Sequence, residues 1–119
     1  VANILIVDDS TFDKFVIKKC IERNNHTVIG EASSSPEALK LYQELKPDIV
    51  LLDIIMPNDS GIITLGQLMS LDPKANIIMC TSSASQDVVI QASKLGAKYF
   101  LAKPITEAIL IKTIQKILS

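Results

Sequence analysis

Five short apolar runs, each followed by a stretch of helical period, constrain this chain more than any other feature. The runs cover residues 4–7, 27–32, 49–52, 77–80 and 99–102. A run this short and this apolar reads as a strand buried on both faces. Parallel strands need a crossover of a dozen residues or so, usually a helix, so strict strand–helix alternation predicts a parallel sheet covered on both sides. Five such repeats in 119 residues predict one α/β domain over 1–119, long enough to bury a core without disulfides or a structural metal. The pattern alone does not order the strands. The common doubly wound solution for five is 2-1-3-4-5.

Local signals place the helices. The first runs over 11–23, with Ser10 and Asp13 at capping-box spacing and Phe12, Phe15, Val16, Cys20 and Ile21 on one face. The second has Ser35 as N-cap and Pro36 in its first turn, and stops near Lys46 because Pro47 follows. A loop of Pro57, Asn58, Asp59, Ser60 and Gly61 leads to the third, with Leu65, Leu68, Met69 and Leu71 facing in. The fourth spans 85–95 and is closed by Gly96. A buried stripe at 88, 92 and 95 leaves Ile90 on its far side. The fifth spans 106–118.

Composition removes several functional classes. The net charge is −1, so there is no basic footprint for nucleic acid. No apolar run approaches the roughly 20 residues of a membrane-spanning helix, and the N-terminal segment lacks the basic region of a signal peptide. Cys20 and Cys80 each sit in an apolar run, with no Cys-x-x-Cys pair. They read as buried free thiols rather than a zinc or redox site, which predicts a reducing cytoplasm. His26, the only histidine, falls in a loop segment and reads as a surface residue.

In a sheet of this kind ligands bind beyond the carboxyl ends of the strands. The residues there are Asp8 and Asp9 after the first run, Asp53 after the third, Thr81 after the fourth and Lys103 after the fifth. Singly, each has a plain structural role. Asp9 or Ser10 can cap the first helix, Ser82 or Ser83 the fourth, and a lysine usually sits in solvent. Asp53 resists that reading, because Ile54, Ile55 and Met56 follow it and no helix starts there. A carboxylate so placed needs a partner. Three carboxylates and one ammonium on one rim call for a hard divalent cation such as Mg²⁺, with Asp8 and Asp9 as its natural ligands. Asp53 is then a carboxylate nucleophile for a phosphoryl group, whose oxygens Thr81 and Lys103 can hold.

The Asp8–Asp9 pair, the segment from Pro47 to Pro57 with Asp53 in it, Gly61, Thr81 and Lys103–Pro104 together resemble the bacterial response-regulator receiver domain. The resemblance runs over essentially the whole chain. It implies a switch of a two-component system, not an enzyme in the ordinary sense. Asp53 would accept phosphate from a sensor histidine kinase or phosphotransfer protein. Asp8, Asp9, Asp53 and the Ile55 carbonyl would bind Mg²⁺, and Thr81 and Phe100 would form the switch. It also implies a cis Lys103–Pro104 bond, and output through the fourth helix, fifth strand and fifth helix, with a dimer possible on phosphorylation. Lys14, Ser35 and Ser60 depart from the commoner residues at their positions without touching the site chemistry. Ile55 and Ser83, two residues after Asp53 and Thr81, stand where the family's residues influence attack by water, and neither can orient a water well, so the resemblance implies slow self-dephosphorylation.

Two other readings compete. A Mg²⁺-dependent phosphatase of the haloacid-dehalogenase kind would want a second Asp two residues after the nucleophile, where this chain has Ile55. A pseudo-receiver acting only as an interaction module would lack the acceptor or the lysine, and both are present.

Overall fold

The five apolar runs become the five strands of one sheet in the computed structural model, which describes residues 1–56, 59–81 and 86–119. The strands are β1 (Asn3–Val7), β2 (Thr27–Ala32), β3 (Ile49–Asp53), β4 (Ile77–Thr81) and β5 (Tyr99–Ala102). Between and after them lie α1 (Thr11–Arg23), α2 (Ser35–Leu45), α3 (Gly61–Leu71), α4 (Gln86–Lys94) and α5 (Glu107–Leu118). Every pairing in the sheet is parallel and the order is 2-1-3-4-5, the doubly wound arrangement expected. A separate two-residue antiparallel ladder joins Ile55–Met56 to Asp59–Ser60 just beyond β3. Pro57 and Asn58 of the expected loop lie outside the described residues. So do Ser82, Ser83 and Ser85 at the expected start of α4.

Strand alternation splits the core in two. Leu5, Val7, Val50, Leu52 and Met79 face α2, α3 and α4, where Ala38, Leu65, Leu68 and Ala92 meet them. Ile4, Ile6, Ile49, Leu51, Ile78 and Leu101 face α1 and α5 and pack on Ile17, Ile21, Leu110 and Ile114. All five β3 residues are buried, as befits the central strand. Cys20 and Cys80 are buried free thiols. Burial raises both thiol pKa values, that of Cys80 to about 12, so neither supplies a thiolate.

Several local expectations need correction. Phe12, Phe15 and Val16 do not face the sheet: they are 73%, 57% and 37% exposed, while Ile17, Cys20 and Ile21 are buried. The true stripe, 13/17/20/21, is rotated from the expected one by about a quarter turn at 100° per residue. Both stripes contain Cys20 and Ile21, so spacing alone could not separate them. In α2 the cap is Ser34, whose Oγ accepts from the Glu37 N–H. Ser35 is instead the first helical residue, buried, accepting from the Thr64 hydroxyl at 2.8 Å and donating to Gln67 Oε1 at 3.0 Å. Leu71, at the last turn of α3, is 46% exposed rather than packed inward. On α4 Ala92 is buried and Ile90 faces solvent as expected, but Leu95 lies past the last turn and is 38% exposed. Gly96 follows at φ +116°, with the Ala97 N–H returning to the Ala92 carbonyl in a Schellman-type closure. His26 is half-buried rather than free on the surface, and its Nδ1 accepts from the Ala2 N–H at 3.0 Å.

Candidate functional site

The register of the sheet brings the expected residues together. Val7 pairs with Leu52, Asp53 with Cys80, and Thr81 with Ala102, so Asp8, Asp53, Thr81 and Lys103 end four adjacent strands at one edge. The alternation that turns Ile4, Ile6, Ile49, Leu51 and Leu101 toward α1 and α5 carries on to Asp8, Asp53 and Lys103. Their side chains accordingly meet. Lys103 Nζ donates to Asp8 Oδ2 at 2.7 Å and to Asp53 Oδ2 at 3.3 Å. Asp8 and Asp53 are only 2% and 6% exposed, whereas Asp9 is open to solvent.

Backbone contacts hold this edge. The Asp8 N–H donates to the Ala32 carbonyl, and Asp8 Oδ1 in turn accepts from the Ser10 N–H at 2.9 Å. The Lys103 N–H donates to the Thr81 carbonyl at 2.7 Å, and the Lys103–Pro104 bond is cis as expected. Gly61 opens α3 directly against the acceptor strand, its N–H donating to the Ile54 carbonyl. A Cβ there would stand 2.1 Å from the Asp53 carbonyl oxygen, so only glycine admits this approach. Thr81 is buried, and the half-buried Phe100 pairs in register with Met79 and packs on the α2–α4 side of the core. Residues 79 and 81 share a strand face, so Phe100 and Thr81 lie on the same side of neighbouring strands. Ile55, the expected carbonyl ligand, follows two residues after Asp53, its backbone paired with that of Ser60.

Asp13 does more than serve as the acidic member of a capping box. The Ser10 hydroxyl does accept from the Asp13 N–H, but the Asp13 carboxylate reaches Lys103 Nζ at 3.0 Å. The available signal was its place on the 13/17/20/21 stripe, four residues before the buried Ile17. Burial of Lys103 favours its neutral amine, yet hydrogen bonds to Asp8 and Asp13 and the charge of Asp53 outweigh this and raise its pKa. The lysine is therefore a fixed cation at any ordinary pH.

The profile of the response regulator receiver domain matches residues 4–115. The chemotaxis protein CheY of Thermotoga maritima is 41% identical over 114 residues, 96% of this chain and 95% of that one. Protein CcdB of Bacillus subtilis is 38% identical over 115 residues, 97% of this chain and 96% of that one. This chain belongs to the response-regulator receiver family. Among solved structures, CheY in the CheX–CheY–BeF₃–Mg²⁺ complex of Borrelia burgdorferi superposes with a TM-score of 0.93 at 31% identity. It covers 98% of this receiver and 89% of that chain. The protein is thus a CheY-like receiver domain, a signalling module rather than an enzyme in the ordinary sense.

The receiver's acidic edge suits a divalent ion. One carboxylate oxygen from each of Asp8, Asp9 and Asp53 lies within 4.8 Å of the others. Oxygens sharing an octahedral Mg²⁺ at about 2.1 Å stand roughly 3–4 Å apart, so a small contraction would close the set, and an all-oxygen donor set is what this hard ion takes. Among the described residues no helix is long and apolar enough to cross a membrane.

Proposed function

We propose that the whole chain is a single receiver domain that takes a phosphoryl group onto Asp53 from a phosphohistidine of a sensor kinase or phosphotransfer protein. The observation that carries this reading is the convergence of Asp8, Asp9 and Asp53 within 4.8 Å, with the Lys103 ammonium touching Asp8 and Asp53. Asp8, Asp9 and Asp53, with the Ile55 carbonyl, would hold Mg²⁺, which when bound neutralises charge between the nucleophile and the incoming phosphoryl oxygens. An Asp53 carboxylate oxygen forms the new O–P bond as the donor's P–N bond breaks, and the donor nitrogen keeps the electron pair. Lys103, already charged at this edge, moves onto a phosphoryl oxygen. The Thr81 hydroxyl donates to another.

The signal leaves through the β5 edge of the sheet. Thr81 shares its strand face with the side on which Phe100 packs, so drawing Thr81 toward the phosphoryl group opens space into which Phe100 turns. An output protein or domain, or a second receiver, then reads the surface of α4, β5 and α5. Ile90 on α4 and Ile109 on α5 already stand 46% and 54% exposed. The cytoplasm, where such kinases deliver phosphate, is the compartment this requires.

Intact mass after incubation with a small acyl-phosphate donor and Mg²⁺ tests the reading. One added phosphoryl group is expected, dependent on Mg²⁺ and absent in Asp53→Asn. No gain in the folded wild-type protein, even from a phosphohistidine donor, would leave a pseudo-receiver that acts by surface contact alone. The phosphorylated form is expected to last minutes or longer, since neither Ile55 nor Ser83 is a good acid or amide for orienting water. Loss within seconds without a phosphatase would contradict that.

A further inference from the structure

Lys103 has one carboxylate more than the phosphotransfer site needs. Its Nζ is held by Asp8 at 2.7 Å, by Asp13 at 3.0 Å and by Asp53 at 3.3 Å. Two of these, Asp8 and Asp53, also belong to the group able to hold a metal ion, and Asp13 does not. A divalent cation drawn into that group competes with the ammonium for the same oxygens and repels it. The lysine then needs another anion within reach, or it must leave an edge where its side chain is only 15% exposed.

Asp13 is placed to be that anion. It sits in the first turn of α1, on the stripe that continues through Ile17 to Cys20 and Ile21. Its plain role would be to complete a capping box by accepting from the Ser10 N–H. That N–H is taken by Asp8 Oδ1, leaving the Asp13 carboxylate for the lysine. With its side chain 37% exposed, Asp13 stays partly hydrated, outside the buried pair of Asp8 and Asp53.

We infer that Asp13 is a positioning residue: it holds the Lys103 ammonium against α1 while Asp8 and Asp53 turn to the metal, and so lets cation and lysine share the edge. The inference rests on the phosphotransfer reading above. Asp13 acts through Lys103 and takes no part in bond making.

A double-mutant cycle on Mg²⁺ binding separates this from a mere change of charge. Mg²⁺ is titrated into the full chain and followed by backbone amide shifts, for wild type, Asp13→Asn, Lys103→Met and the double variant. Asp13→Asn is expected to weaken Mg²⁺ binding about three- to tenfold when Lys103 is present and less than about twofold when it is Met. Asp13→Glu should recover most of the loss. An equal penalty in both backgrounds, or none in either, overturns the inference while leaving the metal site intact. No saturable Mg²⁺ binding to the wild type overturns the site reading and this one with it. Should Lys103→Met fail to fold, the lysine ammonium resonance of the Mg²⁺-saturated protein decides instead. It should be protected from exchange in wild type and lost in Asp13→Asn, and equal protection in both overturns the inference.

Discussion

The two ends of the sheet are built on opposite principles. At the amino end backbone N–H groups meet matched acceptors. The Asn3 N–H donates to Asp48 Oδ2 at 2.8 Å, the Ala2 N–H to His26 Nδ1 at 3.0 Å, the Thr27 N–H to the Ala2 carbonyl and the Asp48 N–H to the Asn3 carbonyl. At the carboxyl end three carboxylates, Asp8, Asp13 and Asp53, hold one ammonium, and a fourth, Asp9, lies close to Asp8 and Asp53. Two of those carboxylates are buried, where like charges are costly. One end is arranged for stability, and the other gathers, among the described residues, an excess of negative charge that a cation from outside can balance. Substitutions should therefore divide: those at the carboxyl end cost function and spare stability, and those at the amino end do the reverse.

The sharpest break comes from Asp53→Asn. Phosphorylation should vanish, while thermal unfolding is unchanged or shifts upward, because removing one of several crowded like charges relieves repulsion. A variant that unfolds well below wild type in a thermal melt would show that Asp53 is a structural partner of Lys103 first. Gly61→Ala comes next and is the one place where both properties should fall together. The added Cβ meets the Asp53 carbonyl oxygen at 2.1 Å and the Ile54 Cα at 2.6 Å. Backbone must shift, at about 1–3 kcal/mol by analogy with overpacked sites, and the acceptor shifts with it. Urea unfolding and the rate of acyl-phosphate labelling read the two losses, and a normal rate in a destabilised protein would separate them.

At the other end Asp48→Ala removes the acceptor of the Asn3 N–H. The bond is exposed, so water replaces it and the loss should be at most about 1 kcal/mol in urea unfolding. Labelling of Asp53 should keep its wild-type rate. A changed rate would mean that the two ends communicate through β1, against the division drawn above.

The sequence revealed the two ends unequally. The edge residues Asp8, Asp9, Asp53, Thr81 and Lys103 were legible because strand polarity alone sends the residue after each apolar run to one rim. The strand ranges were legible for the same reason, since burial on both faces leaves an uninterrupted apolar signature. The rotation of α1 was not. Two overlapping stripes satisfy the same spacing, and contact with the sheet chooses the one through Ile17 over the one through Phe12 and Phe15. The same ambiguity hid Asp13, whose partner lies 90 residues along the chain. The partners of His26 and Asp48 were invisible too, because hydrogen bonds to backbone N–H groups leave no pattern of residue types.

His26 supplies the smallest expected effect and the finest test of the amino end. Burial holds its pKa below the ordinary value of 6.5. The geometry agrees, since protonating Nδ1 would set an N–H against the Ala2 N–H that it now accepts. Well above pH 6.5 the imidazole is neutral whether the chain is folded or not, so its contribution is complete and level. As pH falls below 6.5 the unfolded chain takes up a proton that the folded chain refuses, so stability declines with falling pH until the lower folded value is passed. His26→Gln should remove that decline between pH 7 and 5. Because the carboxyl end is untouched by the change, Asp53 labelling at pH 7 should stay the same. Urea unfolding of both proteins across that range is the measurement. Parallel curves would mean that the imidazole is as easily protonated folded as unfolded, and that this end of the sheet is held by its backbone pairs alone.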